Sequence, residues 1–331
     1  MTGQFEKTCV IDAGGRYGIH PSWKLFSGEL QYFLFEPEPK ERKRLEQKYR
    51  NRSDEVFIVE DALDEADGSV ELNLSRNLAM SSSSKRLTVS PLFRGERKNQ
   101  LDIVERLTVK SRSIDSFCQE MNLQTDFLKL DTEGSEFEIL NGASAQLKNF
   151  VLGVRVEVAF DYIFEGKKLF SSINDLLLDS GFFLLNLDYK GRGDHQNEFA
   201  NTEFGYGILT NTDAVFLRRN SRSFTAESYC DGKLKALEIF KKAAFCFMNS
   251  AADVAIEILL DGVRSKSTNY LEIEHTRLFM FVDKCLHRHF YSLKWQPGQS
   301  LEKHQDCYRL IFSKEMKVVN EYMESIDLNP D

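Results

Sequence analysis

The sequence lacks the features that mark several large classes of protein. With 51 acidic and 43 basic residues it has no cationic excess for a phosphate backbone, so a nucleic acid is not expected as partner. Its six cysteines show no CxxC spacing, which favours reduced thiols in a cytoplasmic protein over a zinc or disulfide framework. No basic segment followed by a long apolar one marks a secretion signal at the N-terminus. Asn249, Asp253 and Glu257 interrupt the apolar stretch 243–260, so no membrane span is predicted.

Short apolar runs alternate with helical stretches from residue 8 to about residue 218. The apolar runs predict strands at 8–13, 30–37, 55–62, 126–131, 150–160, 182–189 and 206–218. Helices are expected between them at 18–26, 40–50, 114–122, 134–148 and 170–181. This alternation predicts an α/β fold with a largely parallel sheet covered on both faces. The last two strands are joined without a helical pattern, which favours an antiparallel hairpin at one edge.

The sequence also predicts an extra strand, a loop and a helical tail. Polar and apolar residues alternate along 69–75, as in a hairpin strand with one exposed face. Residues 80–102 include the serine run 81–84, show no periodicity and are predicted to form a mobile surface loop. From about residue 224 the apolar residues recur three and four apart, which indicates helices. We therefore expect one domain at 1–222 and a helical domain or extension at 223–331, which would cover the site or form a homodimer.

The first predicted strand ends in the glycine-rich turn DAGGRYGIH, residues 12–20. A nicotinamide or flavin site would carry G-x-G-x-x-G here, but Arg16 and Ile19 occupy the second and third glycine positions. The turn instead reads D-x-G-x-x-x-G, formed by Asp12, Gly14, Gly18 and the additional Gly15. This spacing resembles the first motif of class I S-adenosylmethionine-dependent methyltransferases. The resemblance implies that the backbone of the turn approaches the methionine part of the cofactor and that Asp12 meets its amino group.

The next two predicted strands also end in acids. Glu36 closes the second strand, where a carboxylate can accept hydrogen bonds from both hydroxyls of a ribose. The alternative for Glu36 is a solvated side chain at a helix start, favoured by the helix dipole. Asp61 follows the third strand, where class I methyltransferases place a group that accepts from the adenine amine, with the backbone of Ala62 beside it. Glu60 and Asp64 are alternatives to Asp61.

The segment DFLKLDTEGSEFEILNGASAQL, residues 126–147, resembles the signature of the FkbM family of methyltransferases. That family carries a strand, then D-x-E-G-x-E, then a helix with x-x-L-x-G-A. The matching residues are Asp131, Glu133, Gly134, Glu136, Leu140, Gly142 and Ala143. FEPEP at 35–39 and SRSIDSF at 111–117 are also similar to the family, so the resemblance covers about 8–218. It implies a Rossmann-like class I methyltransferase sheet that uses S-adenosylmethionine.

The first turn departs from the pattern of this family, which reads D-x-G-A-N-x-G. Gly15 and Arg16 replace the alanine and the asparagine. Arg16 therefore either reaches a carboxylate of the cofactor or substrate, or lies on the surface.

The resemblance implies methyl transfer to an oxygen, which requires alignment of two substrates and a base for the hydroxyl proton. Asp131 and Glu133 are candidate bases, because they follow a strand at the edge where open sheets bind ligands. Acids this close together repel one another, which raises their pKa values. The alternative for Glu133 is that, like Glu136, it satisfies amide groups at the start of the next helix.

Two further residues are candidates on the acceptor side. Glu157 ends the strand 150–160 and would hold the substrate hydroxyl, or else pair with Arg155 or another cation. His195 lies in a loop and would act as a base or be solvated. Carboxylates with the ligand spacing of a divalent metal are not evident, so no metal is predicted.

The sequence therefore predicts a methyltransferase that uses S-adenosylmethionine to methylate a hydroxyl. The expected acceptor is a sugar, a glycan, or a glycosylated or polyketide-like small molecule. The alternative is a non-catalytic cofactor-binding or scaffold protein whose helical tail binds another protein. The glycine spacing disfavours a nicotinamide oxidoreductase.

Overall fold

A computed structural model of the chain describes residues 7–20, 23, 28–52, 55–87, 99–100, 102–193, 208–220, 232–264, 270–292 and 311. The chain divides into two compact units. The sheet unit comprises Cys9–Ile19 and Gln31–Arg222, and the helical unit comprises Met1–Thr8, His20–Leu30 and Ser223–Asp331. The boundary expected at residues 222–223 stays a prediction, since the helical unit also includes two segments from the N-terminal part of the chain.

Within the ranges just given, seven strands form the main sheet. They are β1 Thr8–Ala13, β2 Leu30–Phe35, β3 Val56–Val59, β7 Phe127–Leu130, β8 Gly153–Ala159, β9 Phe182–Gly193 and β10 Ile208–Arg218. Their order is β3-β2-β1-β7-β8-β10-β9. The pairs β2–β3, β1–β7 and β7–β8 are parallel, whereas β10 is antiparallel to both β8 and β9. This arrangement confirms the predicted Rossmann-like sheet with its antiparallel edge hairpin.

The two faces of the central strands differ in polarity. Because side chains alternate along a strand, Leu128 and Leu130 of β7 point to one face, where they join the main hydrophobic core. Lys129 lies on the opposite face, in register with Asp12 of β1 and Arg155 of β8. A row of charged side chains therefore crosses the second face of the sheet, directly below the carboxyl ends of the strands.

A second sheet contains β4 Ala62–Leu63, β5 Gly68–Ser75 and β6 Ile103–Arg112, in the order β4-β6-β5. β5 confirms the strand predicted at 69–75. Its antiparallel partner β6 was not predicted, because the first residues of β6, Ile103 and Val104, are exposed side by side and break the alternation of a half-buried strand. Val70, Leu72 and Leu74 of β5 share one face by their spacing.

The described residues of the sheet unit form the helices α1 Pro39–Tyr49, α2 Ile114–Glu120, α3 Glu136–Asn141, α4 Ser144–Asn149 and α5 Phe170–Asp179. They confirm the helices predicted at 40–50, 114–122 and 170–181. The prediction of a single helix over 134–148 is wrong, because the helix is interrupted at Gly142 and two short helices, α3 and α4, take its place. A Cβ atom there would lie 2.4 Å from the carbonyl oxygen of Asp64. Asp115 then caps α4 by accepting from the backbone nitrogens of Ala145 at 2.8 Å and Gln146 at 3.0 Å.

The helix predicted at 18–26 is wrong at its start, because Gly18–His20 form irregular backbone. Gly18 has φ +88°, which a right-handed helix cannot accommodate. Trp23 has 3₁₀-helical backbone, and 21–22 and 24–27 lie outside the described residues.

The helical unit contains α6 Gly232–Met248, α7 Ala252–Arg264 and α8 Arg277–Ser292, which confirm the helical pattern predicted from residue 224. Phe240 of α6 stacks on Phe279 of α8 with ring centroids 5.3 Å apart. Glu29 caps α8, accepting hydrogen bonds from the backbone nitrogens of Arg277 and Leu278. Across the ranges that the structure describes, no helix combines the length and apolarity needed to cross a membrane.

Candidate functional site

A cleft opens at the carboxyl ends of β1, β2 and β7 in the sheet unit. The space within it, including the solvent at its open mouth, is about 750 Å³. Residues that follow the three strands line it, among them Gly14, Glu36, Asp131 and Glu133. This is the edge at which open α/β sheets bind ligands, and β1 is where the strand order reverses.

Gly14 holds the glycine turn against the end of β7. Its φ is +83°, and a Cβ atom would lie 1.7 Å from the carbonyl oxygen of Asp131. The backbone nitrogen of Asp131 also donates to the carbonyl of Ala13 at 3.0 Å. Gly15 lies outside the cleft lining, where a Cβ would meet the Leu34 side chain at 2.8 Å. Both glycines are therefore required by close packing, and the backbone of Gly14 faces the cleft.

Gly18 ends the turn against α1. Its backbone nitrogen donates to the carbonyl of Gly15 at 2.7 Å, and the nitrogen of Ile19 donates to the Tyr49 hydroxyl at 2.9 Å. A Cβ on Gly18 would lie 2.2 Å from the Tyr49 hydroxyl oxygen. Gly18 therefore shapes the turn without lining the cleft.

Gly18→Ala is expected to lower the free energy of unfolding by about 1–3 kcal/mol more than Gly181→Ala does. Both glycines have φ +88°, but a Cβ at Gly181 meets nothing within 4 Å. The difference between the two variants in urea unfolding therefore isolates the contacts of the new Cβ with Tyr49 and with Nζ of Lys48, 2.9 Å away. Equal losses would show that the Tyr49 hydroxyl moves aside at no cost.

Arg16 lies in the wall of the cleft, not on the open surface. Its Nη1 donates to the carbonyl of Leu78 at 3.3 Å. Its Nη2 lies 3.7 Å from Glu38 and 3.8 Å from Glu41. The side chain thus connects the glycine turn to the segment after β5, and it supplies positive charge beside the acids of the second strand end.

Glu36 follows β2 and is buried in the cleft wall, 5% exposed. Oε1 accepts from the backbone nitrogen of Glu38 at 3.0 Å, while Oε2 has no hydrogen-bond partner among the described residues. Burial raises the pKa of Glu36 to about 7, and the hydrogen bond and Arg16 only partly oppose this. Glu38, not Glu36, caps α1, so Glu36 is the strand-end acid with acceptor capacity left over.

Much of the remaining cleft lining is apolar. It is formed by Phe35, Ala62, Leu63, Val70, Leu72 and Leu74. Ala62, predicted to lie beside the adenine, is thus part of the cleft lining. Asp61 lies outside the lining and points to Arg112 at 3.6 Å and Lys110 at 3.7 Å. Neither Glu60 nor Asp64 lines the cleft.

Asp12 is fully buried below the floor of the cleft and does not line it. Its Oδ2 accepts a hydrogen bond from the Tyr32 hydroxyl, and its Oδ1 lies 3.2 Å from Nζ of Lys129. Lys129 also lies 3.7 Å from Asp131, whose carboxylate is 44% exposed. The acid of the glycine turn is therefore joined to the cleft through a lysine of β7.

Asp131 and Glu133 lie side by side in the cleft wall. Glu133 adopts φ +60°, an uncommon conformation for a non-glycine residue, and its Oε2 accepts from Nη2 of Arg86 at 3.0 Å. Burial raises the pKa of Glu133 to about 7; Arg86 opposes this rise, and Asp131 adds to it. Glu136 does not cap α3 as expected but holds the loop before it, since its carboxylate accepts from the backbone nitrogens of Thr132 at 2.7 Å and Gly134 at 3.0 Å.

Glu157 of β8 lies outside the cleft lining. Its Oε1 accepts from Nδ2 of Asn211 at 2.8 Å. Burial raises the pKa of Glu157, and the charge of Glu133 adds to this rise. Of the alternatives considered, pairing with Arg155 is wrong, because Arg155 binds Asp188 and Asp213.

A model of the Methyltransferase FkbM domain matches residues 12–184. This range includes the glycine turn, the strand-end acids Glu36 and Asp61, and the D-x-E-G-x-E segment. The chain belongs to the FkbM methyltransferase family. This confirms the resemblance and shows that the protein is a methyltransferase by family. Among curated protein sequences none matches significantly.

Two solved methyltransferases are weakly similar to this FkbM methyltransferase. Precorrin-6y C5,15-methyltransferase of Geobacter metallireducens GS-15 is 10% identical with a TM-score of 0.30, over 64% of this chain and 81% of that one. Sp1610 of Streptococcus pneumoniae, for which tRNA (m1A22) methyltransferase activity is proposed, is 8% identical with a TM-score of 0.32, over 92% and 90%. Similarities of this size say nothing about substrate.

Several residues of the FkbM site escaped the sequence reasoning. Arg86 lies in the predicted mobile loop, yet it binds Glu133, and Ser83 of the serine run shares a hydrogen bond of 2.7 Å with Ser135. No sequence pattern marks either contact. Lys129 did give a signal, since a lysine inside a buried parallel strand needs a partner. His195 lies outside the described residues, within which no cluster of three acids, histidines or cysteines is arranged to hold a metal.

Proposed function

We propose that this FkbM methyltransferase binds S-adenosylmethionine in the cleft and transfers its methyl group to a hydroxyl of an acceptor. The observation that carries the proposal is Glu36, buried at the end of β2 with one carboxylate oxygen unused among the described residues. That oxygen lies in the lining of the cleft, where it can accept hydrogen bonds from a ribose diol. The backbone of Gly14 lines the same cleft.

The two halves of the cleft suit the two ends of this cofactor. Phe35, Leu63 and the apolar face of β5 would enclose an adenine ring, with the backbone of Ala62 at its edge. Asp131 would attract the ammonium group of the methionine part, beside the backbone of Gly14. The acidic half also favours a positively charged sulfur, since opposite charges attract strongly in a partly desolvated site.

The cofactor supplies an electrophilic methyl group on a positively charged sulfur. The residues of this chain align the acceptor oxygen with that methyl group and take its proton. Glu133 is suited to the second task, because a pKa of about 7 gives it both ionised and protonated forms near neutral pH. Arg86 fixes the direction of its carboxylate at 3.0 Å.

The acceptor proposed is a sugar, a glycan, or a glycosylated or polyketide-like small molecule. The net charge of −8 supports a small acceptor over a nucleic acid. Incubation with S-adenosylmethionine labelled on its methyl group tests the proposal, with hydroxylated acceptors in one set of reactions and transfer RNA and ribosomal RNA in another. Label in an ether-linked methyl of a hydroxylated acceptor is expected. Label in RNA, or cofactor binding without transfer to any acceptor, would contradict the proposal.

Glu133→Gln is expected to lower kcat with the acceptor so identified by about 100-fold or more, because an amide cannot take the hydroxyl proton. The affinity for S-adenosylmethionine should change by less than about threefold. Glu165→Gln is the matched control, since that carboxylate is exposed and pairs with Lys85 outside the cleft. Steady-state rates give kcat, and titration calorimetry gives the affinity for S-adenosylmethionine. An unchanged kcat would show that Glu133 is not the base.

A further inference from the structure

We propose that Lys129 is a positioning residue that joins Asp12 of the glycine turn to Asp131 in the cleft and directs the Asp131 carboxylate to the cofactor's ammonium group. The inference rests on the proposed function. It assigns an indirect role to Asp12, which the sequence pattern would place in contact with the cofactor. The three side chains are called the charge bridge below.

The charge bridge follows from the register of two parallel strands. Asp12 of β1 and Lys129 of β7 are Cα partners, so their side chains lie on the same face of the sheet, one strand spacing apart. Asp131 is two residues beyond Lys129, on the same face and one step closer to the carboxyl end. Nζ of Lys129 reaches both acids, at 3.2 Å to Asp12 and 3.7 Å to Asp131.

The inner end of the charge bridge is fixed. Asp12 is 0% exposed, and the hydroxyl of Tyr32 on β2 donates to its second oxygen. A buried carboxylate requires a counter-charge, so Lys129 is held where it is by Asp12. Lys129 in turn is mostly buried, which leaves its ammonium group little freedom to turn away from Asp131.

The outer end of the charge bridge faces the ligand. Asp131 lines the cleft, and its carboxylate is the most exposed of the three groups. Two carboxylates and one ammonium give the bridge a net charge of −1. The negative charge is available to a ligand at Asp131, because both oxygens of Asp12 already have partners in Tyr32 and Lys129. A cationic group entering the cleft, such as the ammonium of a methionine, completes the row of alternating charges.

The test separates this positioning role from a role in stability alone. Lys129→Met by itself would strand the buried charge of Asp12, so the informative protein is the double variant Asp12→Asn/Lys129→Met, which removes both charges of the buried pair. Asp12→Asn/Lys129→Gln serves in its place if the methionine variant does not fold. The midpoint temperature of thermal unfolding of the double variant should lie close to that of the wild type.

Calorimetric titration with S-adenosylmethionine is then made on the wild type, the double variant, Asp131→Asn and the triple variant. The double variant is expected to bind about tenfold more weakly, and Asp131→Asn at least as weakly. The triple variant should bind no more weakly than Asp131→Asn, within about twofold, because Lys129 acts only through Asp131.

Wild-type affinity in the double variant would overturn the inference, since the buried pair would then serve stability alone. Losses that add in the triple variant would also overturn it, because Lys129 would then contact the cofactor by itself. In both cases the wild type binds and the proposed function stands. A wild type that does not bind S-adenosylmethionine refutes the proposed function, and the inference fails with it.

Discussion

Gly14→Ala is expected to abolish measurable binding of S-adenosylmethionine and to lower the free energy of unfolding by about 3 kcal/mol or more. The new Cβ would lie 1.7 Å from the carbonyl oxygen of Asp131, and the φ of +83° adds strain of its own. To relieve the contact, the end of β1 must move away from the end of β7. Both ends line the cleft, so the same movement changes its shape. Urea unfolding and titration calorimetry measure the two effects.

Gly166→Ala is the control for the backbone strain alone. Gly166 lies in the same unit with φ +68°, but a Cβ there meets nothing within 4 Å. It should therefore lose only about 1 kcal/mol and bind the cofactor as the wild type does. Cofactor binding by Gly14→Ala within about threefold of the wild type would show that the turn is not part of the cofactor site.

Glu36→Gln is expected to weaken S-adenosylmethionine binding by about 10- to 100-fold, because hydrogen bonds to a charged acceptor contribute about 1.5–3 kcal/mol. The substitution keeps the shape of the side chain and removes its charge. Glu60→Gln is the matched control, since Glu60 is exposed at the end of the neighbouring strand, 3.4 Å from Arg42 and outside the cleft lining. Calorimetry should find no change there. Equal losses in both variants would contradict the assignment of Glu36 to the ribose.

The pKa of Glu36 gives this binding a pH dependence. At a pKa of about 7, the ligand-free protein holds a proton on Glu36 below neutral pH, and binding of the ribose hydroxyls to the carboxylate must release it. Affinity is therefore expected to be about tenfold lower at pH 6 than at pH 8. Glu36→Gln should flatten this profile, because the amide does not titrate. An unchanged profile in the variant would assign the pH dependence to another group.

The same shift has the opposite sign for the stability of the ligand-free protein. The folded pKa of Glu36 is raised from 4.5 to about 7, so between these values the folded state holds a proton that the unfolded chain has lost. Stability from this group is therefore present below pH 4.5 and is lost as the pH rises to 7, by at most about 3 kcal/mol. Low pH thus favours the empty cleft and disfavours the loaded one.

The residues that follow strands were the predictable part of the site. Glu36 and Asp131 each come directly after a short strand and Glu133 follows two residues later, and parallel strands bring such positions to one edge. Gly14 was predictable for the same reason, since a chain that turns there sharply next to a neighbouring strand has no room for a side chain. The alternation of runs and helices gave the sheet itself, including its antiparallel edge.

Contacts made across the sheet were not predictable in the same way. Asp12 and Asp131 were placed by their position in the motif, but only the register of β1 against β7 shows that Lys129 lies between them. The contact of Arg86 with Glu133 joins residues far apart in the chain, and nothing periodic marks the segment that carries Arg86. The interruption of the predicted helix at Gly142 was not predictable either. It occurs where the backbone of Asp64 packs against Gly142, and this contact depends on tertiary structure alone.

Electron density for S-adenosylhomocysteine in a crystal of this protein tests the central claim most directly. The account predicts the ligand in the cleft, with its ribose hydroxyls on Glu36, its adenine against Leu63 and its sulfur facing the side on which Asp131 and Glu133 lie. Density for the ligand elsewhere on the chain, or a ribose turned away from Glu36, would contradict the account.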